Sequence, residues 1–227
     1  MPVVARGGAD SDEPPRQLPR LPPGRHGLPR EFVVKNQRDR LTAGMIAVVA
    51  ELGYHETTIS QIATASGVSR RTFYGYFANK EEAFLATYEA ISEYLFGAAQ
   101  AAAAEERGWP ARVRAALGAV LEAFAANPDL ARFALVVPPR AGEAIAVRYR
   151  QATAEAVAAL NRNRPKRVRG PSEQVQGALI AGVVALIARR VEAGEGEGPV
   201  SELLPEVVEL FLTPYLGREA AAAAAAG

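Results

Sequence analysis

The sequence predicts an all-α protein of about nine helices: an N-terminal three-helix unit containing a helix-turn-helix, then a C-terminal helical ligand-binding and dimerisation body. Three observations predict it. Apolar residues recur at steps of three, four and seven in successive stretches, as in Val34, Leu41, Met45, Val48, Val49 and Leu52. Helix-start signatures precede two of the stretches: Thr58 with Gln61, and Asn79 with Glu82, each fit a capping box. Gly and Pro stand between the stretches, at Gly53, Gly67, Gly108-Trp109-Pro110 and Pro138-Pro139.

Residues 1–27 read as a Pro-rich arm, because Pro14, Pro15, Pro19, Pro22 and Pro23 prevent a helix and little could be buried. Its basic end, with Arg16, Arg20, Arg25, His26 and then Arg30, is either a phosphate-following arm or a solvated linker. The first helix is expected from Pro29 to Leu52, its first half kept wet by Arg30, Lys35, Arg38, Asp39 and Arg40, with Gly53 as its stop. The second starts at the Thr58 cap and turns Ile59, Ile62 and Ala63 inward. Ser66-Gly67-Val68 makes the turn, and Ser69 caps a third helix running Arg70 to Phe77.

In that third helix Val68, Phe73 and Phe77 face inward, leaving Arg70, Arg71, Thr72, Tyr74 and Tyr76 outside. These side chains suit phosphates and base edges: Arg chelates guanine, Thr meets thymine methyls and Tyr reaches phosphate. Lys80 stands at the next helix's N-terminus, where a phosphate is already favoured. The plain alternative is a three-helix cap with a polar surface.

The run GYHETTISQIATASGVSRRTFYGYFANKEEAF, 53–84, resembles the DNA-binding domain of tetracycline-repressor-like (TetR family) regulators. Nearly every fixed position of the family's pattern is present, with Ser66 where Ala is usual. The resemblance implies an all-α homodimer that binds a pseudo-palindromic double-stranded DNA operator, usually as a repressor. It carries Thr58, Ser69, Arg70, Arg71, Thr72, Tyr74, Tyr76 and Lys80 over as DNA contacts, with Arg25 and Arg30 added from the arm.

The fourth helical segment, Glu81 to about Arg107, links this reader (28–82) to the body (83–217) and would serve as a lever. Pro110 opens a fifth helix, Asn127-Pro128 a sixth as far as Val137, and Gly142 a seventh to Asn161. A small-molecule effector is expected among the fourth to eighth helices, with Tyr94, Trp109, Leu117, Phe124, Phe133, Tyr149 and Ile187 as candidate walls, although such residues at helical spacing are more often plain core. Few acids or histidines stand on these stripes, so the ligand is expected to be mainly apolar. Arg162, Arg164, Lys166, Arg167 and Arg169 fill the next connection; a solvated, mobile loop is the preferred reading and a phosphate patch the alternative.

The eighth and ninth helices carry apolar residues round more than one stripe, which points to a symmetry mate and a four-helix interface through Val175, Leu179, Val183, Leu186, Val207 and Phe211. The low-complexity Ala-rich tail, 218–227, receives no role.

Composition narrows the classes. Formal net charge is only +1, so a nucleic-acid face must come from local segregation of charge. With no cysteine there is no disulfide, zinc finger or thiol chemistry, in keeping with a reducing cytoplasm. No apolar run looks long enough to span a bilayer, and the N-terminus has no signal-peptide core, so no membrane is expected. His26 and His55 have no metal-ligand spacing and no triad can be assembled. The expectation is therefore no enzyme, no metal and no cofactor; a ligand-independent regulator with the same reader, or an architectural DNA-binding protein, is the competitor.

Overall fold

The structure is a computed structural model that describes residues 30–162, 164–194 and 198–227, with side chains from Lys35 onward. The arm, with Arg25, and the Arg30 and Val34 side chains lie outside the described residues. Among the described residues ten α-helices follow one another: α1 Arg30–Leu52, α2 Ile59–Ala65, α3 Arg70–Tyr74, α4 Lys80–Ala104, α5 Trp109–Ala126, α6 Pro128–Ala131, α7 Glu143–Asn161, α8 Glu173–Ala193, α9 Leu204–Leu216 and α10 Arg218–Ala226. No strand occurs among the described residues.

The reader closes as its pattern requires. Leu41, Met45 and Val49 of α1 meet Ile62 of α2 and Phe73 of α3 in the core, each at most 1% exposed. The caps are local and complete. Thr58 accepts from Gln61 N while Gln61 accepts from Thr58 N. Ser69 accepts from Thr72 N and Asn79 from Glu82 N. Gly67 takes φ 61 in the turn, which a side chain rarely adopts. α1 crosses α2 closely at Gly44: a Cβ there would fall on Ser66 Oγ and 2.9 Å from the Ser66 nitrogen. Leu52, expected in the α1 stripe, is 38% exposed because Gly53 ends the helix beyond the crossing.

α4 is unbroken across the expected boundary at residues 82 and 83, so reader and body share it. Its Phe84, Tyr88 and Ile91 are buried in a core that is continuous from Leu41 to Ala225. After α6 the chain widens into a π-helical turn, Arg132–Val136, closed by Val137 N on Arg132 O at 3.2 Å. Pro138 and Pro139 follow; they lack N–H donors and stop the helix.

Two expectations for the body are corrected. The Ala-rich end is no idle tail: it is α10, packed on α9 and α5 with Ala221 and Ala225 buried, and Arg114 Nε donates to the Ala225 carbonyl at 3.4 Å. Alanine's small side chain makes that close contact possible. α8 is by length and composition able to cross a bilayer (mean hydropathy 1.3 over its most apolar window), although only 17% of that window is buried in the chain. The apolar run is interrupted in the sequence by Gln174, Gln176 and Arg189, and few of its residues are fully buried in the chain.

Candidate nucleic-acid interface and ligand cavity

The reader's outer face is smaller than the sequence implies. Arg70, Arg71 and Tyr74 are exposed on α3, Tyr74 by 49%. Ser69 and Thr58 are exposed as well, but each hydroxyl already serves its cap; Thr58 Oγ1 donates to Gln61 Oε1 at 2.7 Å. Thr72 is half-buried, its hydroxyl 2.9 Å from that of Ser69.

Two expected contacts turn inward. Tyr76 is half-buried because α3 ends at Tyr74, and its hydroxyl donates to Gln37 Oε1 of α1 at 3.0 Å. Lys80 uses all three ammonium hydrogens on the loop between α1 and α2. Its Nζ lies 2.7 Å from Tyr54 O, 2.8 Å from Thr57 O and 3.3 Å from His55 O, and 4.4 Å over the Tyr54 ring. Burial lowers its pKa and nearby Glu56 pulls the other way. No donor of Lys80 remains for a phosphate.

One reader residue escaped the sequence reading. Arg40 belongs by its charge and position to the wet half of α1, yet it is 9% exposed and its Nη2 donates to Gly67 O at 2.6 Å, tying α1 to the turn between α2 and α3. The partners are 27 residues apart, so no local pattern could announce the contact.

In the body, α4, α5, α7 and α8 enclose a cavity of about 670 Å³. Trp109, Leu117, Phe124, Tyr149 and Ile187 line it, as expected. Tyr94 does not: it is 57% exposed on the outer side of α4. Phe133 does not either: it is fully buried and stacks on Phe84 with ring centres 4.4 Å apart, sealing the body to α4 beneath the reader. The walls are mostly apolar, including Ile91, Leu95, Phe96, Val113 and Val183, with Ser92, Thr153 and Tyr149 as isolated polar groups. Trp109 is fixed by its Nε1 donating to Leu160 O at 2.8 Å.

At one wall a charge cluster joins α4 to α7. Arg148 reaches Glu89 at 2.6 Å and Glu155 at 3.5 Å, and its guanidinium lies 5.8 Å over the Tyr88 ring. Burial works against the Arg148 charge, but the hydrogen bond and charge of Glu89, with Glu155, more than offset it and raise its pKa. Burial pushes the Tyr88 phenol well above its ordinary value. Both are therefore fixed in one protonation state near neutral pH. Arg112, Glu155 and Arg162, which the sequence reading did not single out as cavity residues, also line the space. Among the described residues no cluster of three metal-ligating side chains occurs.

The expected interface set divides. Val183, Val207 and Phe211 are at most 1% exposed within a single chain, so they are core and cannot form an interface. Val175 is 44% exposed, and Leu179 and Leu186 are half-buried. Helical periodicity shows that α8 and α9 have more than one apolar stripe; it cannot say which one faces inward.

Comparison with known proteins places this geometry. Residues 42–87 match the model for "Bacterial regulatory proteins, tetR family". The HTH-type transcriptional regulator TcmR of Streptomyces glaucescens is 36% identical over 114 residues, 49% of this chain and 50% of that protein. The fatty acid metabolism regulator protein of Bacillus subtilis is 41% identical over 44 residues, 19% of this chain and 23% of that one. The chain thus spans half or less of the length of these relatives. Among solved structures, the fatty acid degradation regulator FadR of Bacillus halodurans superimposes with a TM-score of 0.68 at 18% identity, over 77% of this chain and 97% of that chain. The regulator FadR of Bacillus subtilis in complex with stearoyl-CoA gives 0.66 at 16%, over 79% and 98%. These likenesses extend the shared fold well beyond the reader. The reader thus carries the sequence of the tetR-family DNA-binding domain over residues 42–87, and the helical layout around it shares the fold of these solved regulators.

Proposed function

We propose that the protein is a DNA-binding transcriptional regulator of the cytoplasm, a homodimeric repressor that holds a pseudo-palindromic operator and is released by a small, mainly apolar ligand. The observation that carries this reading is α4. Its first residue, Lys80, locks the reader loop, and its middle and end, from Tyr88 to Ala104, line the cavity. A ligand that wedges α4 against α5 or α7 must therefore bear on the reader.

A second link runs through the segment after α6. Ala134 and Leu135 of the π-helical turn line the cavity, whereas Phe133 of the same turn stacks on Phe84. Just beyond, the Arg140 carbonyl meets His55 Nε2 of the reader loop at 2.8 Å. A π-turn is a wider and less regular helix, a natural place for one element to shift against another. The FadR neighbour seen with stearoyl-CoA supports a long acyl chain as the class of ligand, in agreement with the apolar walls.

Dimerisation answers the exposed apolar surface of α8 and α9, where Val175 and Leu210 stand 44% and 39% exposed. On this reading Val175, Leu179 and Leu186, joined by Leu210, meet a twin, and two copies of Arg70, Arg71 and Tyr74 read two half-sites. The test is selection of bound genomic DNA by the full chain, followed by footprinting and challenge with long-chain acyl compounds. A two-part footprint lost on adding the compound is expected. Broad binding without a preferred site refutes the operator reading, and a footprint indifferent to every acyl compound refutes release by such a ligand.

A further inference from the structure

We propose that the basic side chains Arg162, Lys166, Arg167 and Arg169, between α7 and α8, bind the phosphates of a ligand whose apolar chain occupies the cavity. The inference rests on the apolar-ligand reading above and adds the headgroup chemistry. The cavity is elongated: its α4 wall runs from Tyr88 to Ala104, about 24 Å of helix. At its far end the C-terminal turn of α4, Arg112 of α5 and Leu160 with Arg162 of α7 converge. The basic connection begins at that point. After Arg162 come Arg164, Lys166, Arg167 and Arg169, and no acid occurs before Glu173.

Several features favour a phosphate site over idle solvation. Arg162, Lys166, Arg167 and Arg169 are exposed and form no ion pair among the described residues. Arg112, at the same end of the cavity, donates its Nε to the Glu106 backbone carbonyl at 3.0 Å and adds a further cation there. The loop is also held in place. Val168 N donates to Pro165 O at 2.9 Å, and Arg164 N to Asn161 O at 3.1 Å. The Arg164 guanidinium lies 5.3 Å over the Tyr215 ring and against Gly170, where any Cβ would collide with it. Its Nη1 is buried with no acceptor. Operator phosphates are not the proposed partner: α4, about 36 Å long, starts at the reader with Lys80 and reaches the end of the cavity lined by Arg162 only in its last turn.

A lone carboxylate does not need several cations. A phosphate monoester, with close to two negative charges and three acceptor oxygens, or a polyphosphate does, and guanidinium forks suit them. The ligand class is thus an acyl chain on a phosphorylated headgroup, the chemistry of an acyl-coenzyme A and, as a second source, of a lysophospholipid. Trp109, the single tryptophan, lines the cavity and reports occupancy by its fluorescence.

The test titrates the full chain with palmitate, palmitoyl-coenzyme A and palmitoyl lysophosphatidic acid, native and as the triple variant Lys166→Gln/Arg167→Gln/Arg169→Gln. All three positions are exposed, and the variant's thermal unfolding confirms its fold. The thioester should bind the native chain about tenfold tighter than palmitate, with a preference that salt weakens and the variant loses, while palmitate binding stays unchanged. If the lysophospholipid follows the thioester, the site recognises phosphate from either source; if it follows palmitate, the site is assigned to the coenzyme. Equal binding of palmitate and thioester, or a preference that survives in the variant, overturns the headgroup inference and leaves the apolar-ligand reading standing. Failure of all three compounds to change Trp109 fluorescence overturns both.

Discussion

Lys80→Met separates two roles that the sequence alone confounds. Methionine keeps the length and apolar stem of lysine and removes only the ammonium. The loss leaves the carbonyls of Tyr54, His55 and Thr57 without their shared donor, and takes the cation off the Tyr54 ring. His55 is exposed and its carbonyl can turn to water; Thr57 is 2% exposed and its carbonyl cannot readily do so. A hydrogen bond to a charged donor contributes about 1.5–3 kcal/mol, and one such bond dominates here, so the cost is about 2 kcal/mol. For a chain of this size that lowers Tm by about 4–8 °C. Thermal unfolding by circular dichroism measures it, and amide exchange should show Gly53 to Thr58 opening first. An unchanged Tm together with a salt dependence of operator binding reduced by about one phosphate would refute the reasoning and return Lys80 to the DNA.

Arg71→Ala should weaken selected DNA by about 1–3 kcal/mol with no change in Tm, since Arg71 is exposed on α3; a gel-shift titration beside a melt checks both. Phe133→Ala removes a fully buried ring stacked on Phe84 and should cost about 3–5 kcal/mol in denaturant unfolding, whereas Tyr94→Ala, on an exposed side chain, should cost less than about 0.5 kcal/mol. Val175→Glu with Leu210→Glu should give folded monomers by light scattering, while Val183→Glu or Phe211→Glu should abolish folding because each places a charge in the core. Dimers that persist in the Val175/Leu210 double variant would move the interface elsewhere.

The reader was legible because its determinants are local. The caps at Thr58, Ser69 and Asn79 each involve a partner three residues on, and Gly67 states its own turn. The inner face of Ile62, Ala63 and Phe73 follows from periodicity. The outer face was read too generously. Whether Tyr76 and Lys80 point out depends on Gln37 and on the Tyr54–Thr57 loop, 39 and 23 to 26 residues away.

In the body, five of the seven proposed cavity residues line one space because they share helices that must pack side by side. Tyr94 and Phe133 fail for opposite reasons, one facing solvent and the other turned towards α4 by the π-helical step. Composition misjudged α10, since an alanine run reads as low complexity until a neighbouring helix gives it a surface to meet.

The sequence by itself determined the helices up to α9, their order and the reader motif, because propensity, caps and apolar period act over a few residues. Only the tertiary structure decided which of two apolar faces on α8 and α9 is core, which basic side chains are tied to carbonyls rather than free, and where a cavity remains. Those outcomes depend on contacts between distant residues, such as Arg40 with Gly67 or Trp109 with Leu160, and distance along the chain carries no trace of them.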